Sequence, residues 1–148
     1  MDCEGDRPGV IQQFIRPGGQ EMAQIIIKAL PVTPGTTVSE DELKQFFSPS
    51  NFKGMLPRSA TFIDGKATKI EGLPGAMLQY SMREERAGMT VDVRFVSFIF
   101  IYQATMVQLQ CSVGSLSDRS DSLQQRMTDF LPLFTLMANS IVLPNKWK

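Results

Sequence analysis

Three apolar-rich runs follow one another across short turns from Gly72 to Gly114, and a long amphipathic stretch then extends from about Asp118 to Ile141. In the first run Leu78, Tyr80 and Met82 alternate with Gln79, Ser81 and Arg83, the period of a half-buried strand within Ala76 to Arg86. The second, Met89 to Tyr102, begins with the same alternation, setting Val91, Val93 and Phe95 against Thr90, Asp92 and Arg94. It then turns apolar on both parities, with Val96, Phe98, Phe100 and Tyr102 on one and Ile99 and Ile101 on the other. Such a strand is open to solvent at one end and covered on both faces at the other. After a turn at Gln103-Ala104 comes the third run, Met106 to Val113, with Gln108 and Gln110 outward and Cys111 on the buried side.

The closing stretch carries Leu123, Met127, Phe130, Leu131, Phe134, Met137 and Ile141, spaced 4, 3, 1, 3, 3 and 4. That spacing predicts a helix of about five turns, capped at Ser117-Asp118 or Ser120-Asp121. Pro132 lies inside it and kinks it or costs about 3 kcal/mol. Leu133 and Leu136 fall outside the stripe, where they either reach a neighbouring loop or mark an exposed contact surface. The tail Leu143 to Lys148 holds the only tryptophan, Trp147, between lysines.

The first half of the chain supplies the remaining elements. Residues 1–9, with Asp2, Glu4 and Asp6 among Gly and Pro, read as a disordered lead-in, and residues 10–148 as a single α+β domain. Val10 to Ile15 and Met22 to Leu30 read as two strands joined across Pro17-Gly18-Gly19. Ser39, with Glu42 three residues on and acids filling the first turn, starts a helix that Ser48-Pro49 stops. Val38, Leu43, Phe46 and Phe47 make its buried face, and Phe52, Met55 and Leu56 cover a core edge or form a pocket lip. Asp64-Gly65 marks either a hairpin between Ser59 to Ile63 and Lys66 to Ile70 or a bulge in one longer strand. The C-terminal helix covers one face of the sheet; the helix near Leu43 or the Phe52 loop covers the other.

At 148 residues with 43% hydrophobic and 20% charged positions, the chain is long enough to bury a core without metal or disulfide staples. Fifteen basic and fifteen acidic residues cancel, which counts against a nucleic-acid partner. The histidine count is zero, so there is no Ser-His-Asp triad, no Cys-His pair and no His-ligated zinc. Carboxylate pairs, Ser-Lys chemistry, a phosphate loop or an activated cysteine remain as enzyme options, and no good example of any is found. Gly18-Gly19 and Gly72-Leu-Pro-Gly75 match no phosphate-binding fingerprint. The helix dipole explains Glu40-Asp41-Glu42 better than a metal does.

Arg83-Glu84-Glu85-Arg86 is a solvated hairpin end rather than a carboxylate pair, because strand neighbours point to opposite faces. Phe98, Phe100 and Tyr102 lack the Lys/Arg cluster of a base-stacking platform and read as core. No catalytic, cofactor-binding or metal-binding residue is therefore assigned, and no cofactor is expected. Of the two cysteines, Cys111 reads as a small core residue. Cys3 stands open as a free thiol, a disulfide partner of Cys111 or a lipid-attachment cysteine. No run reaches the ~20 apolar residues of a membrane span. Met1 to Arg16 lacks the apolar centre of a signal peptide. The chain is either cytoplasmic or exported with its signal removed.

From Ile70 onward the chain resembles the PsbP-like superfamily, which spans an oxygen-evolving-complex subunit, a Ran-binding import factor and bacterial DcrB lipoproteins. The resemblance rests on the Gly72-Leu-Pro-Gly75 step into a meander, the aromatic strand Phe95 to Tyr102, the strand Met106 to Val113 and a closing helix ending near Ser140. It implies an α/β/α sandwich with a central twisted antiparallel sheet and a long C-terminal helix packed on one face. It also implies a non-enzymatic interaction or accessory module, exported to the bacterial periplasm or cell envelope and assisting a larger assembly. A protein partner is expected, with a membrane tether outside these residues as a further option. The alternative is a carrier of a small hydrophobic ligand held between sheet and helix, which suits nine methionines and ten phenylalanines. An enzyme using carboxylates or Ser-Lys chemistry ranks third.

Overall fold

The computed structural model describes residues 10–15, 21–29, 39–70, 72–102, 105–116 and 123–140. Two strands, β1 (Val10–Ile15) and β2 (Glu21–Ala29), lead to a short helix α1 (Glu40–Phe46) and two single 3₁₀ turns, Pro49–Asn51 and Lys53–Met55. Four strands follow, β3 (Thr61–Ile70), β4 (Leu73–Arg86), β5 (Met89–Tyr102) and β6 (Thr105–Leu116), and then helix α2 (Leu123–Ala138). They form a six-stranded sheet in the order β1-β2-β6-β5-β4-β3, antiparallel at every pairing. The consecutive strands β4 to β6 make the meander read from the sequence, β3 pairs with β4 as a further strand, and the β1–β2 hairpin extends the sheet beyond β6. Residues of its Pro17-Gly18-Gly19 turn, the turn at 103–104, the proposed α2 caps, Ile141, Cys3, Val38 and Trp147 lie outside the described residues.

α2 lies over β5 and β6. Val96, Phe98 and Phe100 of β5 and Val107, Leu109, Cys111 and Val113 of β6 pack with Leu123, Met127, Phe134 and Ala138 of the helix. These side chains occupy the layer between sheet and helix. The helix is tied down by Arg126, whose guanidinium donates to the Gly114 carbonyl at 2.6 Å and pairs with the Glu21 carboxylate at 2.7 Å. It runs through Pro132, which lies on its exposed side.

The opposite face is covered by α1 and the turns after it. The Ser39 hydroxyl accepts from the Glu42 amide at 3.1 Å, as the capping pattern predicts. Leu43, Phe47 and Phe52 pack on Ala76, Leu78, Ile99 and Ile101. Phe46, expected on the buried side, is exposed and meets Phe47 edge-on, so the buried stripe of this two-turn helix is narrower than its sequence suggests. Asp64-Gly65 is no hairpin: β3 runs straight through it, with a bulge between Phe62 and Asp64. Gly65 serves close approach instead, since a Cβ there would stand 2.8 Å from the Phe52 ring and 2.9 Å from Leu78. Pro74 sits within β4 but before its pairing with β5 begins at Gly75, so no ladder bond on that side needs its missing N–H.

Candidate functional site

The β4–β5 turn is closed by Ala87 (φ 52) and Gly88 (φ 77) between the paired residues Arg86 and Met89. Two positive-φ positions match the right-handed twist of the flanking strands and fix their register. That register sets Ser81 opposite Arg94 and Arg83 opposite Asp92, and on the other side Thr61 opposite Ser81. All of these occupy the parity that lies beneath α2 further along the strands. Here the apolar run has given way to polar residues, and the sheet surface is left as the floor of a cleft.

Leu123, at the start of α2, forms one wall, Ser59 stands at the lip, and the cleft encloses about 470 Å³. Arg83 donates from Nε to Asp92 Oδ1 at 2.9 Å, with Arg83 71% exposed and Asp92 15%. Arg94 is half-buried, and its Nη1 donates to the Gln124 side-chain oxygen. Its Nε is buried without an acceptor, a deficit of about 1–3 kcal/mol. Burial holds the Arg94 guanidinium below the ordinary arginine value. Among the described residues the cleft is thus cationic and lined with hydroxyls. With no histidine in the chain, those hydroxyls lack the commonest general base.

A second polar arrangement lies on the α1 face. Gln24 donates to Gln110, Gln110 Nε2 donates to Tyr80 Oη at 2.7 Å, Tyr80 Oη and Ser97 Oγ are 3.1 Å apart, and Gln108 Nε2 donates to Ser97 Oγ at 3.0 Å. Gln108 and Gln110 were expected outward; instead they are half-buried and join a row of side chains that satisfy one another across four strands. Gln24 is only 2% exposed. Burial raises the Tyr80 phenol, while its bonds to Ser97 and Gln110 work the other way.

The outer face of α2 is the third feature. Leu133 and Leu136 are 50% and 64% exposed, the contact-surface alternative for these two residues. Among the exposed residues of the helix, Gln124, Gln125, Thr128, Asp129, Pro132, Leu133, Thr135 and Leu136, only Asp129 is charged.

The remaining candidates from the sequence fall elsewhere. Glu40, Asp41 and Glu42 stand exposed on the first turn of α1. Among the described residues no three Cys, Asp or Glu side chains gather as a metal site. Phe98 and Phe100 are buried under α2, closed to a stacking base. Cys111 is fully buried, and burial pushes its thiol up to about 12. Phe52 is core, and Leu56 lies at the edge of a surface groove with Lys53 and Arg58. No helix among the described residues is long and apolar enough to cross a membrane. Sequence reasoning missed the gathering of Thr61, Ser81 and Arg94; the alternation of Arg94 with Val93 and Phe95 was visible, but the pairing of β3 with β4 was not.

No protein-family model matches the chain, and no curated protein matches it. Solved structures do. The solution structure of cyanobacterial PsbP (CyanoP) from Synechocystis sp. PCC 6803 matches with a TM-score of 0.52 and 19% identity, over 95% of this chain and 78% of that one. PA94 of Pseudomonas aeruginosa, of unknown function, matches at 0.49 and 12% identity, over 99% and 90%. LpqN of Mycobacterium tuberculosis, involved in cell envelope biogenesis, matches at 0.36 and 20% identity, over 78% and 62%. The latter two are weaker, and nothing further rests on them. The chain has a PsbP-like fold, an antiparallel sheet held between a long C-terminal helix and a shorter helix on its other face.

Proposed function

We propose that the protein is a non-enzymatic interaction module that binds another protein through the outer face of α2. The observation that carries this is the composition of that face. A solvent-facing helix surface ordinarily holds several Lys, Glu or Arg residues, whereas this one pairs two exposed leucines with uncharged side chains and a single aspartate. Depletion of charge around exposed large apolar groups is the compositional mark of an interface centre. Leu133 and Leu136 lie three residues apart and present side by side. The PsbP-like fold supports an accessory role by analogy only, and an exported, envelope-associated setting belongs to the same proposal. Apolar side chains of sheet and helix occupy the layer between them, which supports a binding surface outside α2 over one beneath it.

The test is photo-crosslinking in the native host, with a benzophenone amino acid at Leu136 and, separately, at exposed Lys66 of β3. A discrete adduct with one other protein at Leu136, absent at Lys66 and abolished by Leu133→Asp, is the expected result. Equal labelling at both positions, or adducts of the chain only with itself, overturns the reading.

A further inference from the structure

The two arginines of the polar cleft are used differently. Arg83 is neutralised by Asp92, on which it closes at 2.9 Å. Among the described residues Arg94 meets only a neutral acceptor, the side-chain oxygen of Gln124, and its buried Nε meets none. A half-buried guanidinium without an anionic partner is an unfinished arrangement, because withdrawal from water is ordinarily balanced by a carboxylate or phosphate. Thr61 and Ser81, in register with Arg94 on adjacent strands, set two hydroxyls along the floor of the same cavity of about 470 Å³.

Charge then selects among anions. Among the described residues that line the cleft, Arg83 and Arg94 against Asp92 leave one net positive charge. A monoanion balances that charge, whereas a dianion such as phosphate meets repulsion from the Asp92 carboxylate. A planar anion with two oxygens also suits the edge of a guanidinium, where Nε and one Nη point the same way. We infer that the cleft between β3, β4, β5 and the start of α2 binds a carboxylate, with Arg94 as its ion-pair partner and Ser81 and Thr61 as hydroxyl donors. The carboxylate belongs either to an acidic side chain of a protein or to a free organic acid; the recognition chemistry is the same. This inference stands apart from the α2 outer face, since neither Leu133 nor Leu136 lines the cleft.

The experiment follows the Arg94 Nε–H resonance by NMR while the intact protein is titrated with three probes. These are sodium acetate, a blocked peptide holding one glutamate, and inorganic phosphate, each against sodium chloride at equal ionic strength. Acetate and the peptide are expected to move the signal saturably, beyond any effect of chloride. Arg94→Lys should weaken both by about tenfold, because it keeps the charge but loses the fork. Asp92→Asn should tighten both, a change that a merely structural Arg94 would not produce. Peptide binding much tighter than acetate assigns the site to a protein carboxylate, and equal affinities assign it to a free acid; each supports the inference. No saturable shift in the wild-type protein, or phosphate binding more tightly than acetate, overturns it.

Discussion

From Phe95 to Ile101 strand β5 is buried on both sides, yet the two layers packed against it are built differently. Toward α2 its Val96, Phe98 and Phe100 meet Leu123, Met127 and Phe134 in a cluster whose one heteroatom-bearing core side chain in β6 is the Cys111 thiol. Toward α1 its Ile99 and Ile101 pack with Leu43, Phe47 and Phe52, but Ser97 between them and Phe95 joins the row of Tyr80, Gln108, Gln110 and Gln24. The first layer is largely apolar and held by area and shape, with the Arg126–Glu21 pair as a polar tie. The other contains polar groups that are tolerable only because each is paired. The two should therefore fail in different ways, the first through cavities and the second through orphaned donors and acceptors.

The largest effect belongs to the apolar layer under α2. Phe100 is 0% exposed, and Phe100→Ala should lower stability by about 3–5 kcal/mol, from lost burial plus the cavity left behind. Denaturant unfolding measures this directly. A loss under about 1 kcal/mol would show that the layer collapses freely around the gap, and the contrast with the α1 face would disappear.

Each layer also contains one group whose ionisation reports on it. Burial pushes the Cys111 thiol from its ordinary 9.0 up to about 12. A folded-state value above the unfolded one means that the stabilising contribution is complete below pH 9.0 and is lost as pH rises through about 12. The full loss is up to about 4 kcal/mol. Tyr80 is raised too, chiefly by burial, but its bonds to Ser97 and Gln110 oppose the shift. Its contribution also falls as pH rises above the ordinary phenol value. Unfolding free energies between pH 9.0 and about 12 should decline steeply in the wild type and less steeply in Cys111→Ala. Equal slopes would mean that water reaches the thiol beneath α2.

Much of this architecture was legible in the chain because burial leaves a period. The double-parity run from Val96 to Tyr102 announced a strand covered on both faces, and the stripe from Leu123 to Met137 announced the helix that covers one of them. The solvent-open start of β5, with Asp92 and Arg94 on the polar parity, became the cleft. What was not legible depended on partners distant in sequence. At Asp64-Gly65 a hairpin and a bulge in one longer strand both stood open, and the structure has the bulged strand, with the Phe52 ring and Leu78 packed close on Gly65. Gln108 and Gln110 look like solvent-facing residues, because alternation reports polarity and not the presence of a matching row on Tyr80, Ser97 and Gln24. Arg94 became a site residue only once the register of three strands had set Ser81 and Thr61 beside it.

The smallest expected effect tests the polar row and completes the contrast. Tyr80→Phe removes one oxygen and no volume of consequence, and the ring stack on Phe95, at 5.0 Å between centroids, should survive. What it takes away is the acceptor for Gln110 and the partner of Ser97. The expected loss is about 1–3 kcal/mol, the cost of leaving buried polar groups unpaired rather than the worth of the bonds themselves. Adding Gln110→Leu should then cost less than it does in the wild type, because its Nε2 has already lost its acceptor while its bond from Gln24 is unchanged. A double-mutant cycle reads that coupling. Strict additivity would show that the amides find water once Tyr80 is changed. The α1 layer would then be an open polar surface, and its difference from the α2 layer would be one of solvent access instead of internal pairing.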